Sequence, residues 1–366
     1  SGHTGANLFD ENQPVLYYGV LSAKTNLDVL AGPAIRKARK QRGVDRLHAS
    51  KLGWGGLVEI SEHLLSIQKK YRPTFDIYRV AKADHAVICF FDQVFDQGMN
   101  PAMTWTGYWT PLRYMLLVKV ASLFDENLAK RAWKARIDTN DKTAEEELVH
   151  VCQTLLPRLS ALPDARSRQL IGDSLWWAIQ NPGELHYNCK SSKDVLTITP
   201  NIIGFQTVMH GIASRLNSPK AFASITVDQQ SQFNKAQRSL AEFYANSRQV
   251  PWITGPSLPK MDLSRIPTAP ISVSSSKDSV GLELVDCYLW IFKRVLEGKE
   301  MAQELFPLIR SQMHRGRTDD ISINSIAARW SRWFEELPEP TEEQLRTAKE
   351  ILEKDEERRL CAVKPV

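Results

Sequence analysis

Val15-Leu16-Tyr17-Tyr18-Gly19-Val20-Leu21-Ser22-Ala23 decides the fold class. The run carries no charge and is rich in aromatic and aliphatic side chains. That pattern describes a strand buried on both faces, not one alternating between core and water. Downstream, Asn26 reads as the N-cap of a helix running to about Arg42, with Gly43 as its stop. A second helix fits 56–71, with Leu57, Ile60, Leu64, Leu65 and Ile67 on its apolar side. Pro73 then introduces a strand over 74–81.

From about 85 to 217 the pattern is almost wholly helical. The segments are 85–97, 111–136, 141–161, 165–180 and 201–216, interrupted by Pro157, Pro163 and Asn181-Pro182-Gly183. Strand character returns at 221–227, and Ser231 caps a helix to about 247. A Pro- and Ser-rich loop spans 253–270. Ile271-Ser272-Val273-Ser274 alternates as a short strand and a helix covers 279–297. Beyond 301 the chain reads as helical and densely charged. Strands at both ends of a helical block predict an α/β fold whose core is assembled from the two ends of the chain.

The 366 residues are 43% hydrophobic and 24% charged, with a formal net charge of +5. This is the profile of an ordinary globular protein. No apolar run reaches the roughly 18 to 20 residues of a membrane span, and Ser1-Gly2-His3-Thr4-Gly5 does not read as a signal peptide. Cys89, Cys152, Cys189, Cys287 and Cys361 are scattered and form no CxxC pair. A disulfide framework or thiolate zinc site is therefore not expected, and a cytoplasmic setting is. Phosphate-loop, dinucleotide-loop, nucleophile-elbow and HExxH motifs are absent.

Three segments deliver acids to places where an unpaired acid is costly. Asp10 and Glu11 precede the first strand. Asp228 closes Ile225-Thr226-Val227. Asp286 sits at the margin of the stripe formed by Leu282, Val285, Leu289, Phe292 and Leu296, with Glu283 one turn earlier. Each also has a structural reading: a turn acid, an N-cap, or a helix-flank acid paired with Lys293 or Arg294. Brought together, these acids would suit Mg2+ or Mn2+, since hard cations prefer carboxylate oxygen. Two such ions can drive phosphodiester hydrolysis.

Residues 36–51 hold Arg36, Lys37, Arg39, Lys40, Arg42, Arg46 and Lys51 against Asp45 alone. This is either a solvated helix face or a patch that tracks phosphates of RNA or DNA. His48 is a surface histidine or a site-edge contact to phosphate or metal. Lys82 is a solvated strand terminus or a phosphate ligand. Asp92 and Asp96 read as a solvent face. Trp105, Trp109, Trp176, Trp177, Trp330 and Trp333 fit core or interface positions better than base stacking, and Trp330 with Trp333 could form a partner-docking face.

The pattern resembles the DUF3800 family of RNase H-like proteins. The family's opening Asp-Glu-Ser-Gly strand corresponds to Asp10-Glu11-Asn12-Gln13. Its closing helix corresponds to Ser279-Val280-Gly281-Leu282-Glu283-Leu284-Val285-Asp286, followed by Lys293-Arg294. The resemblance covers roughly 8–100 and 220–296. It implies an RNase H-like mixed sheet with flanking helices, split between 1–105 and 218–300. An all-helical insertion then occupies 106–217, and a helical extension 301–366. It further implies a divalent-metal nuclease, with Asp10, Asp228 and Asp286 on the metal, Glu11 and Glu283 supporting, and a role in phage defence. Two departures stand out. Glu283 replaces the family's Gln, and Arg46-Leu47-His48 stands where the family carries Glu-x-His. These favour a second expectation, a non-catalytic nucleic-acid-binding or scaffold subunit. With either chemistry, a protein partner is expected to dock through the helical insertion or the C-terminal helices.

Overall fold

The computed structural model describes residues 7–185, 189–216, 224–230, 233–249, 255–259, 263–267 and 269–363. In chain order the elements are β1 (Val15–Ser22), α1 (Leu27–Leu30), α2 (Gly32–Arg42), α3 (Ala49–Glu59), α4 (Ser61–Tyr71) and β2 (Thr74–Ala81). Then come α5 (Lys82–Val94), α6 (Trp105–Trp109), α7 (Leu112–Ala121), α8 (Glu126–Ile137), α9 (Asp141–Leu155), α10 (Ala165–Gln180), α11 (Ser192–Thr197) and α12 (Pro200–Arg215). The remainder is β3 (Ile225–Asp228), α13 (Asn234–Asn246), β4 (Ile271–Ser274), α14 (Val280–Leu296), α15 (Phe306–Arg310), β5 (Thr318–Ile321), α16 (Ile323–Glu335) and α17 (Glu342–Val363).

The fold is mixed α/β. β1 pairs antiparallel with β2, Val15 opposite Ala81 and Ser22 opposite Thr74. β5 adds parallel to β2, giving the order β1-β2-β5. β3 and β4 form a separate parallel pair. The uncharged β1 run is explained by cover on both faces. α14 lies on one, where a Cβ on Gly19 would stand 2.9 Å from the Phe75 ring and 3.3 Å from Leu289 Cβ. α12 lies on the other, where a side chain at Gly211 would collide with the Tyr78 hydroxyl. Both glycines are therefore contact points at which only hydrogen fits.

Several expectations are refined. The helix read over 56–71 is two helices, α3 and α4. α3 begins at Ala49 and kinks at Gly53, whose φ is 64°. The segment 111–136 breaks after Ala121, and Asp125 caps α8 by accepting from Leu128 N at 2.8 Å. The expected cap Ser231 and residues 221–223 lie outside the described residues. The helical block is not uniform either. α5 to α10 share a core around Phe90, Phe91, Phe95, Leu148 and Val151, whereas α12 serves the sheet.

The C-terminal segment departs furthest from its reading as a helical extension. Thr318-Asp319-Asp320-Ile321 is a strand of the first sheet. Its charge pattern hides it, but an edge strand tolerates charge, and Arg79 pairs with Asp320 at 2.5 Å. Trp330 is buried and stacks on Tyr114 with ring centroids 4.2 Å apart, so the expected docking face is used within the chain. The end of α17 is clamped to the helical block. Asp355 accepts from Trp105 N, Thr106 N and Thr106 Oγ1, all at 2.8 Å. Arg359 is fully buried against Asp173 and Glu356.

Candidate functional site

α14 organises the site. Ser279 caps it, accepting from Leu282 N at 3.1 Å. Asp28 Oδ1 accepts in turn from Ser279 Oγ and Gly281 N, both at 2.8 Å. The sequence reading gave Asp28 no role. Glu283 and Asp286 stand one turn apart on this helix but in different surroundings.

Glu283 is fully buried. Its carboxylate accepts from two nitrogens of Arg39 on α2, Nε at 3.1 Å and Nη2 at 2.6 Å. Burial pushes its pKa up and the Arg39 guanidinium pulls it back. Asp286 is half-buried. It accepts from Ala49 N at 2.8 Å, and its Oδ2 lies 3.1 Å from His48 Nδ1. The expected alternative partners are engaged elsewhere: Lys293 lies 3.7 Å from Glu297, and Arg294 donates to Glu300 O.

Asp286 therefore grips the backbone amide at 49 in an extended segment, while Glu283 holds α2 through Arg39. His48 has φ −125° and ψ 105°. In extended backbone successive side chains point to opposite sides. Leu47 and Ala49 are buried, while Arg46 and His48 line a cleft. In the neutral tautomer that donates from Nδ1 to this carboxylate, the proton-free nitrogen is Nε2. Nε2 can then accept a hydrogen bond at the cleft wall.

The cleft has a volume of about 1560 Å3. Consecutive residues of β1 (Tyr17 to Ser22) and of β3 (Ile225 to Asp228) line it. Since neighbouring strand residues point to opposite faces, an unbroken run along a wall means that the strand's edge faces the space. The other edges of β1 and β3 are taken by β2 and β4. The lining holds nine basic residues, Lys24, Arg46, Lys70, Arg72, Arg215, Lys293, Arg294, Lys299 and Arg315, against Asp228, Asp286 and Glu297. The whole chain has 47 against 42, so positive charge is concentrated here. Among the described residues Lys24, Arg46, Lys70, Arg72, Arg294 and Arg315 form no ion pair. Arg294 lies over the Trp290 ring, 4.9 Å from its centroid.

The expected metal set is not brought together. Asp10 forms a turn, its Oδ1 accepting from Asn12 N at 3.0 Å. Its charge also bears on Lys82, at the start of β1. Asp286 lies towards the other end of that strand, beyond the Leu289–Gly19 contact. The six steps from Val15 to Leu21, at about 3.3 Å each, span roughly 20 Å. Glu11 is exposed in the turn, and Asp228 is exposed at the end of β3 on the cleft wall. Among the described residues, no three His, Cys, Asp or Glu side chains are grouped to hold a metal ion. Lys82 is fully buried, not solvated, and burial lowers its pKa against the pull of Asp10.

The basic run divides. Arg46 and His48 line the cleft, whereas Arg36, Lys37, Arg39, Lys40 and Arg42 do not. Arg39 is bound to Glu283 and Arg42 to Glu59. Of the acids read as a solvent face, Asp92 pairs with Arg113 at 2.5 Å and Asp96 turns the chain at Gly98. No described helix is long and apolar enough to cross a membrane.

Comparison with protein-family models, curated proteins and solved structures finds no match for this chain.

Proposed function

We propose that the cleft between β1 and β3 binds the phosphate backbone of a nucleic acid, and that the protein acts by binding and not by metal-assisted hydrolysis. The observation that carries this is the excess of nine basic side chains over three acids in one concave space, six of them without a carboxylate partner among the described residues. Concave walls of one sign focus field and gather counter-charge, and each neutralised phosphate adds a salt-dependent increment of affinity.

An RNase H-like description of the core is part of the proposal. It is supported by the antiparallel β1–β2 pair, the short parallel β3–β4 pair and α14 lying on β1. What speaks for binding is how the acids are used. Glu283 is closed by Arg39, Asp10 stands a strand's length from Asp286, and Asp286 splints His48. A divalent-metal nuclease would need Asp10, Asp228 and Asp286 within reach of one ion, with oxygens at about 2 Å from Mg2+.

The test is fluorescence anisotropy with labelled RNA and DNA, single-stranded and duplex, together with a cleavage assay in Mn2+. Binding that needs no divalent metal and weakens with added salt is expected. Hydrolysis that requires Mn2+ and is abolished by Asp286→Asn would overturn the binding reading in favour of a nuclease.

A further inference from the structure

α17 is docked at one end only. Residues 342–354 are exposed on every side, whereas Asp355 and Arg359 are buried against the helical block. The spacing of Leu345, Ala348, Leu352, Asp355 and Arg359 alternates three and four, the repeat of a two-helix seam. One face of the helix is thus consumed at its C-terminal end and left bare over its N-terminal three turns. Leu345 is 55% exposed, Leu352 50% and Ile351, beside the stripe, 46%. A helix of this length gains little from propensity alone and owes its stability to packing of its apolar face.

We infer that this bare stripe pairs antiparallel with the same stripe of a second copy of the chain. Charge complementarity selects the occupant and the direction. When Leu345 is placed opposite Ala348 of the other copy, Lys349 of each chain comes beside Glu342 of the other, and two-fold symmetry supplies the contact twice. A parallel pairing puts Lys349 beside Gln344 and Glu356 beside Ile351, with no opposite charges in register. Among the described residues Lys349 pairs only with Glu353, at 3.8 Å and largely exposed, a contact of little worth. The stripe is short, so the dimer is concentration-dependent.

Sedimentation equilibrium of the full chain, from low to several hundred micromolar, tests this. The wild type is expected to rise from 41.6 kDa towards twice that mass. Leu345→Asp with Leu352→Asp removes the rise, and circular dichroism checks that the helices persist. Lys349→Glu weakens the dimer about ten-fold, and adding Glu342→Lys to it restores the wild-type constant. A wild type that stays monomeric throughout overturns the inference. So does a dimer indifferent to the two aspartates, or a Lys349→Glu defect that Glu342→Lys does not rescue.

Discussion

Helix α2 and the cleft wall are both rich in arginine and lysine, yet they use the charge differently. On α2 the cations are contiguous in sequence. Ile35 and Ala38 are buried, Arg39 and Arg42 are spent on Glu283 and Glu59, and Arg36, Lys37 and Lys40 are exposed outside the cleft. In the cleft the cations come from positions as far apart as 24, 72 and 315, converge on one concave space and mostly lack acid partners. A run of charge is cheap to solvate and has no intrinsic target. A ring of charge around a cleft is held together against its own repulsion and attracts an anion. The seam between the two regions is α14, whose Glu283 holds α2 and whose Asp286 holds the cleft wall.

The largest expected effect breaks that seam. Glu283→Ala leaves Arg39 without its buried partner and should cost about 3 to 5 kcal/mol, measured by urea denaturation. Arg39→Ala should cost a similar amount, and the double mutant less than the sum. Additive losses would mean that α2 is not tied to α14 through this pair.

A smaller effect separates geometry from stability. Asp286→Asn keeps an acceptor for the Ala49 amide, so stability should fall by no more than about 1 kcal/mol. His48 loses its carboxylate partner, and the chemical shift of its Nδ1 proton should move. An unmoved resonance would contradict the splint.

The smallest effect is in pH. Burial raises the folded-state pKa of Glu283 above its unfolded value. Such a group contributes stability that is present below the unfolded pKa and lost as pH rises through the folded one. The stability of wild type relative to Glu283→Gln should therefore increase as pH falls through the ordinary carboxylate range, around 4.3. A difference that declines on acidification would mean that Arg39 outweighs burial.

Local features were legible in the sequence because local chemistry decides them. The β1 run, the Gly43 stop with φ 61° and the Asp286 margin position are of this kind. At Trp330 the sequence left packing and a docking face both open, and the ring packs within the chain. What the sequence hid is tertiary. Thr318 to Ile321 looks like charged surface and becomes a strand only beside β2. Lys82 looks like a solvated terminus and is buried beside Asp10. The cleft cations Lys70, Arg72, Arg294 and Arg315 carry no shared motif, and the trailing Lys293-Arg294 pair was their one local sign. The departure at Arg46 was visible. Its meaning, a cation on the cleft wall beside a segment that Asp286 of α14 holds, required the Ala49 amide contact.

The central claim is that the cleft, not the basic helix, meets phosphate. The dependence of nucleic-acid affinity on salt, compared between two pairs of charge reversals, tests it most directly. Arg46→Glu and Arg294→Glu should each weaken binding and flatten the plot of log K against log salt by about one phosphate's slope, roughly 0.7 to 0.9. Arg36→Glu and Lys37→Glu should leave affinity and slope unchanged. The opposite pattern, with the α2 reversals flattening the slope and the cleft reversals silent, would contradict the account.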